Sequence, residues 1–155
     1  MRIVSLNAWG GQLWPAMSDW LSEVGPDILL MQEVTRAPEP SPDWLEYRDD
    51  WRRLAQRADL FGDVAARLPG RQAVFAPAAR GPLTGPDGRV HRSEHGLAAF
   101  FAPRLAIVEQ AQVFIEGSFR PQGWAPEPEP RVMQLFRVLD PERAGPFAHV
   151  PLEIG

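Results

Sequence analysis

The chain of 155 residues carries a net charge of −4, is 45% apolar and contains no cysteine. That is enough apolar material for one globular core, and it excludes a disulfide scaffold, a thiolate metal centre and a bilayer-spanning helix. All 16 basic residues are Arg, a bias that with abundant Ala, Pro and Gly reads as base composition, and the acidic balance argues against broad nucleic-acid binding. The opening residues hold no apolar stretch long enough for a secretory leader, so a cytoplasmic location is the default expectation.

"RIVSLNAW" (2–9) predicts a strand whose apolar run ends at Asn7, before Gly10-Gly11. "PAMSDWLSEVG" predicts a helix: Pro15 suits a first turn, Trp14, Met17, Leu21 and Val24 share one face, and Gly25 suits a stop. Pro26-Asp27 then leads into a second strand from Ile28 to Met31, followed by Gln32-Glu33. A β-α-β unit with so short a crossover places the two strands parallel, with neighbouring C-terminal ends.

After the Pro-rich loop 37–43, the spacing of Trp51, Leu54, Ala55, Ala58, Phe61, Ala65 and Leu68 predicts a long helix through 47–68. "QAVFAPA" (72–78) predicts a short strand, and "GPLTGPDGRVH" (81–91) a hairpin or loop. Strands are expected at 97–102, 105–108, 111–115 and 131–138, with a loop at 121–130. The order is that of a single layered α/β domain with a mixed sheet, and the six Trp are read most simply as core.

Asn7 and Glu33 both fall at C-terminal strand ends, where ligand sites of open α/β sheets gather. An amide oxygen and a carboxylate are hard ligands of the kind Mg²⁺ accepts, with water and phosphate completing the shell. The same two residue types also serve simply as turn formers and loop starters, so spacing alone leaves both readings open.

"RIVSLNAWGG" with "PDILLMQEV" resembles the opening of the endonuclease/exonuclease/phosphatase family, the Mg²⁺-dependent phosphoesterases that include DNase I-like nucleases. The first motif there is a strand ending in Asn, here Asn7, and the second a strand ending in Gln-Glu, here Gln32-Glu33. "SEHGLAAFF" is similar to the family's Gly-x-Ala strand through Gly96 and Ala98, and "PRVMQLFRVLD" to its Arg-bearing strand through Arg131. The resemblance implies a DNase I-like layered α/β sandwich, a Mg²⁺ cofactor replaceable by Mn²⁺, and hydrolysis of a phosphoester. It implies Glu33 and Asn7 as metal-site and catalytic residues, with Arg131 and His95 beside the substrate.

The family pattern continues with Gly-Asp-x-Asn and Ser-Asp-His, and neither is present; "GDVA" (62–65) and "SDW" (18–20) are chance overlaps. His149 falls where the family's His-bearing strand begins, which implies a catalytic role for it, although Pro151 departs from that pattern. The resemblance therefore implies about the first half of the sandwich: a shortened enzyme, a pseudo-enzyme, or a half completed by a second chain. A non-catalytic binding or assembly module on the same fold is the alternative, and negligible hydrolysis is expected of the chain by itself. His91 and His95, with Glu94 between them, are read as part of a polar loop, and Arg131 and Arg137 as phosphate binders or surface ion pairs.

Overall fold

A computed structural model describes residues 1–124, 130–142 and, as backbone, 148–152. Of the loop expected at 121–130, residues 125–129 lie outside the described residues, and of His149 only the backbone is described. The strands are β1 (Ile3–Asn7), β2 (Ile28–Arg36), β3 (Trp44–Arg48), β4 (Arg53–Arg57), β5 (Gln72–Thr84), β6 (Val90–Phe101), β7 (Ala106–Glu116), β8 (Arg131–Leu139) and β9 (Ala148–Leu152), with helices α1 (Trp14–Val24) and α2 (Leu60–Arg67). Six strands form a mixed sheet in the order β1-β2-β6-β5-β3-β4, and three form an antiparallel sheet, β7-β8-β9.

The helices cover one face of the larger sheet and the smaller sheet covers the other. Leu29, Met31, Val34 and Phe100 pack with Leu21 of α1 and with Leu60 and Val64 of α2. The alternate residues Ile28, Leu30, Ala99 and Phe101 pack with Phe136 and Val138 of β8, and the Phe101 and Phe136 rings meet edge to face at 4.8 Å. Burial on both faces explains why β2 reads as the unbroken run Ile28-Leu29-Leu30-Met31 rather than an alternation. Each such side chain contributes roughly 1.5–3 kcal/mol on full burial.

The β1-α1-β2 unit forms as the sequence predicts. β1 and β2 are parallel in the register Asn7↔Gln32, α1 carries Pro15 in its first turn, and Gly25 ends it in the left-handed region at φ 50°. Asp27 then fastens the start of the chain: it accepts the Arg2 N–H at 2.6 Å and meets Arg104 at 2.9 Å. The Arg2 N–H above all holds its carboxyl below the ordinary range; burial opposes this, and Arg104 adds to it. This stabilisation is therefore present above the unfolded value of about 4 and is lost as pH falls through the lowered folded value.

The long helix expected over 47–68 does not form. Its first part is the β3–β4 hairpin, paired from Trp44↔Arg57 to Arg48↔Arg53, and only Leu60–Arg67 is helical. Asp49 decides this locally, because its Oδ1 accepts the backbone N–H of Trp51 at 2.7 Å and of Arg52 at 2.6 Å, closing a turn where a helix would have continued. Trp51, placed at the tip, is 91% exposed, and Trp9 is 57% exposed, so the reading of every Trp as core is corrected. Further along, β5 and β6 are longer than expected and join in one hairpin, closed by Gly85 N–H to the Arg89 carbonyl at 2.7 Å. His91 and His95 therefore lie in strand β6 rather than in a loop. The two segments 105–108 and 111–115 merge into β7, irregular between Ile107 and Glu109.

Gly96 is required by packing. It pairs with Val34 on one side and Pro77 on the other, and a Cβ there would lie 2.1 Å from the Ala76 carbonyl oxygen. We expect Gly96→Ala to destabilise the chain by about 2 kcal/mol or more, as overpacking against backbone does. Urea unfolding of the two proteins checks this, and a difference below about 0.5 kcal/mol would contradict the packing described.

Candidate functional site

Strand β2 does not end at Glu33. It runs on to Arg36, and the two residues Gln32-Glu33 are accommodated as a bulge between the pairs Met31↔Ala98 and Val34↔Gly96. Leu97 alone faces the two extra-spaced residues across the ladder. The bulge returns Val34 to the same core cluster as Met31, which an unbulged strand would have turned to opposite faces. Glu33 itself takes a left-handed conformation, φ 53°, at a cost of order 1–2 kcal/mol for a residue with a Cβ. Its side chain is half-buried rather than enclosed in the core, so the desolvation of a carboxylate in the interior is avoided.

Asn7, at the end of β1, points its amide at this bulge. Asn7 Nδ2 donates to Glu33 Oε1 at 2.9 Å, while Asn7 Oδ1 accepts the Trp9 N–H at 3.0 Å. Below them the Ala8 N–H donates to the Gln32 carbonyl at 3.0 Å, and Gln32 Nε2 donates to Ser5 Oγ at 3.0 Å. The two strand ends are thus sewn together by backbone and side chain alike. Among the described residues, Oε2 of Glu33 accepts no hydrogen bond, and no three His, Asp or Glu side chains converge to hold an ion. One carboxylate oxygen beside an exposed amide fits Mg²⁺, which keeps several waters and takes one or two carboxylates.

The turn after Asn7 is shaped by close approach. Trp9, Gly10 and Gly11 all have positive φ, and a Cβ on Gly10 or Gly11 would lie 2.9 Å from Gln56 Cγ or 2.7 Å from Arg57 Cγ. Strand β4 is therefore folded back against the turn beside the site. Arg57 holds it there. Its guanidinium donates to Asp63 at 2.7 and 3.0 Å, lies over the Trp44 ring at 5.2 Å, and its carbonyl accepts the Thr35 hydroxyl at 2.5 Å. Asp63 above all keeps Arg57 charged, raising its already high pKa against partial burial. The helix expected over 47–68 gives Arg57 no such role; it follows from the β3–β4 hairpin.

A second unforeseen cluster crosses three strands. Glu94 of β6 is 3% exposed and lies in register with Arg36 of β2 and Arg80 of β5. Arg80 donates to it at 3.1 and 2.5 Å, and Arg36 approaches at 3.3 Å. Such a row is visible only once strand register is known. Of the remaining predicted residues, His95 lies next to Glu94, in register with Thr35 and Ala79. Arg131 is on the smaller sheet, 3.5 Å from Glu116, and Arg137 pairs with Glu109 at 2.9 Å, so both are in ion pairs. The backbone of His149 pairs with Arg137 in the same sheet. The structure thus brings Asn7 and Glu33 into contact, while Arg131 and His149 belong to the other sheet.

No family sequence model matches the chain and no curated protein matches it in sequence. Solved structures do match. An endonuclease/exonuclease/phosphatase family protein from Leptotrichia buccalis superposes with TM-score 0.59 at 14% identity, over 96% of this chain and 52% of that one. A mannosyl-6-phosphatase from Bacteroides thetaiotaomicron gives 0.58 at 14% identity, over 96% and 49%. An endonuclease/exonuclease/phosphatase from Beutenbergia cavernae gives 0.57 at 16%, over 89% and 34%. The fold is therefore that of the endonuclease/exonuclease/phosphatase proteins. The chain spans about half the length of the first two of these structures.

The backbone at position 33 yields a sign test. In an ordinary strand Gly is less stable than Ala, but at φ 53° the order reverses. We expect Glu33→Gly to be more stable than Glu33→Ala by about 1 kcal/mol. Denaturant midpoints of the two variants decide, and Ala above Gly would contradict the bulge.

Proposed function

We propose that this chain carries the metal-binding part of a Mg²⁺-dependent phosphoesterase site, with Mn²⁺ able to replace Mg²⁺. The observation that carries this reading is the Asn7–Glu33 contact at two adjacent strand ends, made by a carboxylate held in a left-handed bulge. A turn former or loop starter needs neither the bulge nor the partner. The match to endonuclease/exonuclease/phosphatase structures supports the phosphoester class of substrate, as does the name of the mannosyl-6-phosphatase among them.

Each residue has a defined task in this reading. Glu33 holds the ion through Oε2, and Asn7 Nδ2 fixes the carboxylate by holding Oε1. Because Asn7 Oδ1 is turned to the Trp9 N–H, Asn7 acts here by orienting Glu33; as a direct ligand it would have to give up that bond. The bound ion supplies charge to stabilise a phosphoryl group under attack and to acidify a water. Neither Asn7 nor Glu33 suits the accompanying proton transfer to the leaving group. That group is proposed to come from outside the residues gathered here, from further chain or a second subunit, and the chain by itself is expected to hydrolyse phosphoesters negligibly.

Titration calorimetry with MgCl₂ tests the proposal. The chain is expected to bind one Mg²⁺ in the millimolar range or tighter, Glu33→Ala to lose the binding, and Asn7→Ala to weaken it about 10-fold, as loss of a ligand-orienting partner does. A folded chain that binds no Mg²⁺, or a Glu33→Ala variant that binds as well as the parent, would mean that only the architecture is shared.

A further inference from the structure

A groove of about 420 Å³ lies between the β5–β6 hairpin and residues 121–123, and Glu39, Arg80, Pro82, His91, Arg92 and Gln122 are among the residues that line it. Its walls are fixed. The Arg80 N–H donates to the Arg120 carbonyl at 2.7 Å, and the Arg120 N–H donates to the Ala78 carbonyl at 3.1 Å. Trp124 Nε1 donates to the Pro82 carbonyl at 2.8 Å. The indole lies so close that a Cβ on Gly81 would be 2.4 Å from it.

The Arg80 guanidinium is also fixed in place. Buried Glu94 takes its Nε and one terminal nitrogen, and the Phe119 ring lies 5.7 Å from it. Glu94 is shared with Arg36, so Arg80 is not its sole counter-charge, and Arg92 and Glu39 complete the charged lining of the groove. A guanidinium whose side chain is already immobilised loses little entropy on binding an anion, and its fork matches a phosphate.

We propose that this groove is a phosphate-binding subsite, with Arg80 and Arg92 as the direct donors. It deepens the phosphoesterase reading and rests on it for the choice of ligand. The phosphate held here is a different one from that at Glu33. Along β6, Glu94, the register partner of Arg80, is three residues from Leu97, the position opposite the bulge, and Arg92 is five; at ~3.3 Å per residue the two donors lie roughly 10 to 17 Å from it. The ligand is thus either a substrate with a second phosphate at that distance or a separate phosphorylated molecule.

The test uses inorganic phosphate with EDTA present, so that it stands apart from the metal. The chain's amide resonances are followed during the titration. Saturable shifts are expected at Arg80, Gly81 and Arg92. Arg80→Lys keeps a charge for Glu94 but loses the fork and is expected to weaken binding about 10-fold. Arg92→Gln should weaken it about threefold and Glu39→Gln should tighten it about threefold, as single exposed charges do. Arg67→Gln, in an exposed ion pair on α2, should leave it unchanged. The proposal is overturned if no saturable shift occurs at these residues, or if all three groove variants bind as the parent does. Phosphate binding without Mg²⁺ binding would overturn the metal reading and leave the groove standing; the converse would do the opposite.

Discussion

Strand β2 has to satisfy two demands that conflict. Its residues from Ile28 to Met31 are sealed between the helices and the smaller sheet, and Val34 and Thr35 are again buried, yet between them the chain must present a carboxylate to water. An unbroken strand would shift the phase of everything after it. The bulge at Gln32-Glu33 absorbs one residue, so that Met31 and Val34 share one core cluster and Glu33 turns outward to Asn7. The left-handed backbone at Glu33 is the local cost of that solution. Much of the surroundings depends on it: the close crossing at Gly96, the pairing of Arg36 with Glu94, and the Thr35 hydroxyl that ties β2 to Arg57.

The turn from Trp9 to Gly11 answers the same demand from the other strand. Gly10 and Gly11 let Gln56 and Arg57 approach within the distance a Cβ would occupy, which brings the β3–β4 hairpin against the strand ends. Arg57 then links that hairpin to α2 through Asp63 and to β2 through Thr35. The proposed metal carboxylate is thereby supported by rigid elements on both sides rather than by a free loop, as a ligand that must hold an ion requires.

The sequence makes the first third of the fold and the core of the site legible, because the signals there are local. Pro15 and Gly25 bound a helix, the unbroken apolar run announces a doubly covered strand, and polar residues interrupt both strands at equivalent points. The β3–β4 hairpin is not legible in the same way. Trp51, Leu54, Ala55 and Ala58 fall at helical spacing by coincidence, and the deciding feature is one Asp49 side chain that caps two N–H groups. Strand β5 was hidden by its prolines: Pro77 sits at an irregularity in the ladder, and Pro82 lies where β5 is paired with β6 but not yet with β3. The Arg36–Glu94–Arg80 row depends on the register of three strands, two of them distant in sequence, and no spacing within one segment encodes it.

The central claim is that Glu33 and Asn7 together form a place where a divalent ion sits. The most direct measurement is paramagnetic broadening of the chain's amide resonances by substoichiometric Mn²⁺. The account predicts broadening centred on Asn7, Ala8, Gln32, Glu33 and Val34, fading along β6 with distance from Leu97 and removed by excess Mg²⁺. Broadening centred instead on another acidic group, such as Asp49-Asp50 or Asp87, with the resonances of Asn7 and Glu33 unaffected, would contradict it.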